Sequence, residues 1–176
     1  MAFVVEDGTG LSTATSYASL EFSDDYHRDH GNTCWLSMSV PDKRAALMYG
    51  STWMDAKFEW IGRVCNQFQR LDWPRVFAWD DEFREFDGLP DRIREACSEV
   101  AYLHTRFPLN RFPDAGRSVD GSLQSVKVDV VEVRFAGDRQ SVRNPDAAQS
   151  SIQAIENILS GLFITGGAGE SVLVRG

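Results

Sequence analysis

His27 and His30 stand three residues apart beside Asp24, Asp25 and Asp29, a spacing that puts both rings on one face of a helix. Imidazole with carboxylate is a donor set for a transition metal. No other ligand group stands at a known spacing, and a solvated helix end, where the dipole favours histidine, accounts for the same residues. His104 lies on an apolar stripe, where a hydrogen-bonded core histidine is the ordinary outcome. Asp80, Asp81, Glu82, Glu85 and Asp87 could supply acid–base chemistry, but interleaved with aromatics in one loop they read as a solvated acidic rim. Arg63, Arg70, Arg75 and Arg84 alternate with Trp and Phe, the composition of a stacking platform for single-stranded nucleic acid. Nearby acids dilute that charge, and arginine packed on tryptophan within a folded loop is the commoner use. Gly166, Gly167 and Gly169 follow a helix rather than opening one, so they form no phosphate cradle. No GxSxG, HExxH or P-loop pattern occurs. The expectation is a non-enzymatic protein with no catalytic residue, metal or cofactor.

The chain has 176 residues, 43% of them apolar, with five Trp and eleven Phe. That suffices for one domain with a real core. A net charge of −8 argues against coating nucleic acid by phosphate neutralisation, while leaving room for walls that let DNA pass without sticking. Cys34, Cys65 and Cys97 are odd in number and far apart, which indicates reduced thiols rather than a zinc site or a disulfide framework. The N-terminus lacks the pattern of a signal peptide, and no apolar run approaches the roughly 20 residues that span a bilayer, so a soluble protein is expected.

Four helices are expected to carry these residues. Ser19 caps one over Leu20–His30, with Gly31 just beyond. Ser39-Val40-Pro41-Asp42 opens a second, whose spacing predicts a stripe of Ala45, Met48, Tyr49, Thr52, Trp53 and Ala56. Leu89-Pro90-Asp91 opens a third, bearing Ile93, Ala96, Cys97, Val100, Ala101, His104 and Phe107, and Pro108 ends it. Asn144-Pro145-Asp146 opens the last, with Ile152, Ile155, Leu159 and Leu162 inward. Between about 122 and 136 the alternation of Val126, Val128 and Val130 slips by one into Val131, Val133 and Phe135, which predicts two short strands with a bulge or a bend between them. Phe68, Trp73, Phe77, Trp79, Phe83 and Phe86 crowd the irregular stretch from Trp60 to Gly88, and self-packing is expected to cover the larger share of them. The fold is therefore mainly α: a small helical bundle of about four helices with an inserted β-hairpin and extended N- and C-terminal arms. Residues 1–165 form the domain, and 166–176 a flexible tail after a glycine hinge. Extended apolar ends need something to pair with, which points toward assembly.

The ordered segments VVEDGTGL (Val4 to Leu11), Ser16-Tyr17-Ala18-Ser19-Leu20 with Tyr26 and His27, Ala45 to Leu47, Trp53-Met54-Asp55-Ala56, Trp60, Gly62, Leu71-Asp72-Trp73-Pro74-Arg75, Leu89-Pro90, Ala96-Cys97 and Ala101 resemble phage proteins labelled DnaT-like, over roughly residues 1–107. Such proteins are similar to the head–tail connector (adaptor) proteins of tailed double-stranded DNA phages. The resemblance implies a dodecameric homo-oligomeric ring beneath the portal protein, joined to a stopper or tail-completion protein. Genomic DNA would pass through its lumen without sequence-specific contact. It implies a place in the virion neck after assembly in the host cytoplasm, with no membrane partner. On that reading Ser171, Val172, Leu173, Val174 and Arg175 dock on the portal, and Phe3, Val4, Val5, Trp73, Arg75, Phe77 and Trp79 contribute to subunit contacts. The label itself implies the alternative, a single-stranded DNA-binding replication accessory protein.

Overall fold

A computed structural model describes residues 2–80, 82–107, 109, 127–128, 131–132 and 145–164. Helix starts follow their local signals. Ser19 Oγ accepts the Phe22 N–H at the head of α1 (Leu20–Asp29), and Ser39 Oγ accepts the Asp42 N–H at the head of α3 (Val40–Lys57), with a proline in its first turn. α4 spans Asp91–Arg106 and α5 Pro145–Ile158. Between α1 and α3 lies a single turn, α2 (Thr33–Leu36), too short to show a period in the sequence. It drives Trp35 into the core, where the indole N–H donates to Asp24 at 2.8 Å. Among the described residues two small antiparallel pairs complete the elements: β1 (Arg63–Val64) with β2 (Arg75–Val76), and β3 (Lys127–Val128) with β4 (Val131–Glu132). The second pair lies inside the expected β excursion. The protein is thus mainly helical with short β-hairpins.

α4 is the central helix, packing against α3, α5 and α1. Its buried residues Ile93, Ala96, Cys97, Val100 and Ala101 are those its periodicity indicates. α3 differs from expectation. The buried face runs Lys43, Ala46, Leu47, Gly50, Ser51 and Met54, about one residue round from the expected stripe, of which only Trp53 is buried. The cause is close approach: a Cβ on Gly50 would stand 3.0 Å from the Cys97 carbonyl oxygen and 3.2 Å from the Ala101 nitrogen. Small residues let α3 seat on the α4 backbone, which bulky residues at 48, 49 and 52 would forbid.

The N-terminal piece is extended, but it pairs within its own chain. Val4 O accepts the N–H groups of Thr15 (2.7 Å) and Ser16 (3.1 Å), and Glu6 N–H donates to Ser16 O at 2.8 Å. Phe3 packs against the core, and Ala14 to Ala18 are wholly enclosed. At the other end, Ile61 N–H donates to Leu162 O (3.2 Å) and Ile164 N–H to Glu59 O (2.7 Å), so 162–164 run antiparallel to 59–61. Residues 166–176, the expected tail, lie outside the described residues. Among the described residues no helix is long and apolar enough to cross a membrane.

Candidate functional site

The segments that carry the resemblance converge on one buried cluster. Tyr17, from the N-terminal segment, is fully enclosed, and its hydroxyl donates to Asp55 Oδ1 on α3. Asp55 Oδ2 accepts the Asp72 N–H at 3.3 Å, and the Tyr17 hydroxyl oxygen accepts the Trp73 N–H at 3.1 Å. Trp73, with no exposed surface, stands edge-on to Trp60 (6.1 Å between centroids) and Phe86 (6.2 Å). Arg75 closes the arrangement by donating to the carbonyls of Ile61 (2.6 Å), Gly62 (3.0 Å) and Asp72 (3.1 Å). Gly62 has φ +71°, and a Cβ there would stand 2.5 Å from Val76 O, so this crossing admits only glycine.

Burial, reinforced by the neighbouring Asp72 charge, pushes the Asp55 carboxyl up to about 8 against the opposing hydrogen bonds. Burial also raises Asp72, with Arg75 pulling the other way, and raises Tyr17, with Asp55 adding to it. Two carboxyls beside a phenol resemble acid–base equipment. Here the hydroxyl, both Asp55 oxygens and the Arg75 guanidinium are engaged by the chain itself. Together these bonds make a lock between three segments of the chain.

Glu6 forms a second fastening. Its buried carboxylate accepts the N–H groups of Gly8 (3.0 Å), Gly10 (2.8 Å) and Leu11 (2.9 Å), holding the EDGTG turn against the body. Glu6→Ala would leave three backbone donors without that acceptor and is expected to cost on the order of 3 kcal/mol in chemical denaturation. A cost within about 0.5 kcal/mol would show that water replaces the carboxylate.

The other singled-out residues fall as follows. His27 is enclosed rather than solvated: Nε2–H donates to Ser98 O (3.1 Å) and Nδ1 accepts from Asn32 Nδ2 (3.0 Å). Burial pushes its imidazole down to about 4. His30 is exposed and bonds the Tyr26 carbonyl, so the two rings share no ligand-binding face; among the described residues no group of His, Cys, Asp or Glu is arranged to hold a metal ion. His104 is half-buried, stacked on Tyr49 at 3.6 Å. Lys43, on the buried face of α3, pairs with Asp24 at 2.8 Å beneath the Trp35 ring. Cys34 and Cys65 are exposed free thiols and Cys97 is buried.

Of the six crowded aromatics, only Trp73 is enclosed and Phe86 half-buried; Phe68, Phe77, Trp79 and Phe83 are 70%, 56%, 47% and 90% exposed. Self-packing therefore covers the smaller share. Residues 77–86 fold back on themselves: Phe86 N–H donates to Ala78 O (2.8 Å), Trp79 bridges Glu85, and Asp80 Oδ1 accepts the N–H groups of Glu82 and Arg84. Asp80, Arg84 and Glu82 also form ion pairs, so part of the acidic rim builds the turn. Phe77 and Phe83 hold left-handed backbone, φ +55° and +59°, a conformation costly for a bulky residue. The rings of Phe77 and Trp79 meet at 6.0 Å. Beside this hairpin-like loop lies a groove of about 360 Å³ whose lining mixes Pro74, Val76 and Phe86 with Arg75, Glu85 and Asp87. Of the expected subunit contacts, Phe77 and Trp79 are thus exposed, Phe3, Val4, Val5 and Arg75 half-buried, and Trp73 enclosed. Ser171 to Arg175 lie outside the described residues.

These features define a class: a small helical domain whose signature segments are internal fastenings and which displays an aromatic loop to solvent. The chain belongs to the family described as "Putative DnaT-like ssDNA binding protein", whose model matches residues 1–176. No curated protein and no solved structure shows a match to it. The family description speaks of single-stranded DNA and does not mention a head–tail connector.

Proposed function

We propose that the chain is a structural subunit of the virion neck of a tailed phage, a head–tail connector forming a homo-oligomeric ring between portal and tail. The observation that carries this reading is the loop at 77–86, which holds Phe77, Trp79 and Phe83 in water among Asp80, Glu82, Glu85 and Asp87. Aromatic surface kept exposed in a fixed conformation suits a protein contact, where such side chains dominate the energy. Between positions 1 and 107 there are 18 acidic and 11 basic residues. A body of that charge suits a channel wall that must not hold DNA. The place of assembly is part of the proposal, drawn from the resemblance of the sequence segments named above. Electron micrographs of the purified chain mixed with its portal protein test it: rings seated on portal are expected, and a strict monomer that never associates with portal would overturn it.

The family description favours a second reading, a single-stranded DNA-binding replication accessory, with exposed aromatics as stacking surfaces. Two observations weigh against it. Arg75 is spent on three backbone carbonyls, and Arg84, though exposed, has its charge offset by Asp80 and Glu82. Oligonucleotide titrations at rising salt separate the readings. Connector subunits are expected to release oligonucleotide by physiological salt, whereas tight binding there would favour the second reading.

A further inference from the structure

We propose that the Phe77–Trp79 ring pair, with the Glu85 carboxylate beside it, is a recognition site for an arginine side chain of a partner protein. The inference deepens the reading of the 77–86 loop as a protein contact and rests on it. Its test reads the loop alone. It can fail while rings still seat on portal, and a strict monomer can still bind arginine here.

Backbone pairing brings the groups together. Trp79 and Glu85 stand opposite each other across an antiparallel bridge, so their side chains leave the same face of the loop. Glu85 Oε1 accepts the Phe77 N–H at 3.0 Å, which fixes the carboxylate beside the ring pair. Its Oε2 has no partner among the described residues. The two rings meet at 6.0 Å with 44° between their planes, and the residues stay 56% and 47% exposed. An incoming cation therefore meets an aromatic face and a carboxylate oxygen that the fold already holds in place. That arrangement spares part of the ordering cost of binding.

Charge selects the ligand. Exposed aromatic faces suit nucleobases, lipid headgroup layers and cationic side chains alike. Residues 80–87 carry five carboxylates and Arg84 as their one basic residue, a field that repels phosphate and attracts a cation. The chain's own nearby cations are turned elsewhere. Arg75 points its guanidinium at the carbonyls of Ile61, Gly62 and Asp72, and Arg84 pairs with Asp80 and Glu82. Elsewhere the chain does lay cations on rings: Lys43 over Trp35 at 5.8 Å, Arg44 over Phe3 at 5.7 Å and Arg106 over Tyr102 at 5.7 Å. Among the described residues no cation lies over Phe77 or Trp79, so their outward faces are open to one from another molecule. Arginine fits better than lysine. Its planar, weakly hydrated guanidinium stacks on indole while its edge donates to a carboxylate oxygen.

Isotope-labelled full-length protein, titrated with an end-blocked Arg-Ala repeat peptide and followed by NMR, tests the site. The Trp79 indole and Phe77 amide resonances are expected to shift saturably. A Lys-Ala repeat of equal length should bind at least about threefold more weakly, and a Glu-Ala repeat should move neither resonance. Glu85→Gln keeps an acceptor for the Phe77 N–H and removes the charge, whereas Trp79→Leu keeps the loop apolar and removes the indole face. Each variant is expected to weaken the arginine peptide at least about fivefold, with helical circular dichroism unchanged. Four results overturn the proposal. Shifts that leave Trp79 and Phe77 unmoved place the peptide elsewhere. Equal binding of the arginine and lysine peptides reduces the effect to general charge attraction. Unchanged affinity in either variant removes that group from the site. An oligodeoxythymidine that moves the Trp79 resonance at physiological salt assigns the surface to nucleic acid instead.

Discussion

Trp73→Ala is expected to lower stability by about 3–5 kcal/mol, while Trp79→Ala changes it by less than about 0.5 kcal/mol. Both lie in the same aromatic stretch, six residues apart, and composition alone gives no reason to separate them. Their surroundings do. Trp73 has no exposed surface, stands edge-on to Trp60 and Phe86, and gives its backbone N–H to the Tyr17 hydroxyl. Truncation there opens a cavity at the meeting point of three segments and removes two aromatic contacts, each worth roughly 0.5–1.5 kcal/mol. Trp79 is 47% exposed and touches only Phe77 among the aromatic rings of the described residues. Urea unfolding with an unchanged m value reads both. Equal losses would mean that the exposed loop is part of the core.

The second large effect is a pH profile with opposed arms. Asp55 has a folded value near 8 against an ordinary 3.8, so the fold favours its neutral form. That contribution is full below about pH 4 and is lost as pH rises toward 8. His27 has a folded value near 4 against an ordinary 6.5, so the fold favours neutral imidazole. That contribution is full above 6.5 and is lost as pH falls toward 4. Each gives a slope of at most about 1.4 kcal/mol per pH unit. Between about 4 and 6.5 the slopes oppose and largely cancel. Between 6.5 and 8 the His27 arm is complete and the Asp55 arm continues, so stability should fall by up to roughly 2 kcal/mol as pH rises. Asp72, raised by burial, adds to the same side. Asp55→Asn should flatten the window from 6.5 to 8 while leaving the acid side to His27. A decline that persists in Asp55→Asn would place the titrating group elsewhere.

Helix starts were legible because their chemistry is local: Ser19 and Ser39 cap helices through hydrogen bonds spanning three residues. The face of α3 was not, because Gly50 and Ser51 carry no hydrophobic signal, yet their smallness decides which side meets α4. The buried polar residues were hidden for a related reason. Glu6 is satisfied by backbone N–H groups that no side-chain pattern records, and His27 finds Ser98 and Tyr17 finds Asp55 only through the tertiary fold. The order of the signature segments marked them as belonging together, but only contact geometry shows that Tyr17, Asp55 and Trp73 form one lock. The exposed aromatics could not be told from the enclosed ones, because burial of Trp73 and exposure of Phe83 depend on which side of a folded-back loop each occupies.

The proposed division of labour is that the signature segments hold the body together and the 77–86 loop meets other protein. Light-scattering mass of the purified chain at rising concentration, for the unmodified protein and for Phe77→Ser with Trp79→Ser, tests it most directly. Concentration-dependent assembly into a ring-sized species is expected for the unmodified chain, with loss of assembly and retention of helical signal in the variant. A unmodified chain that stays monomeric at every concentration, and instead gains mass on single-stranded oligonucleotide at physiological salt, would contradict it.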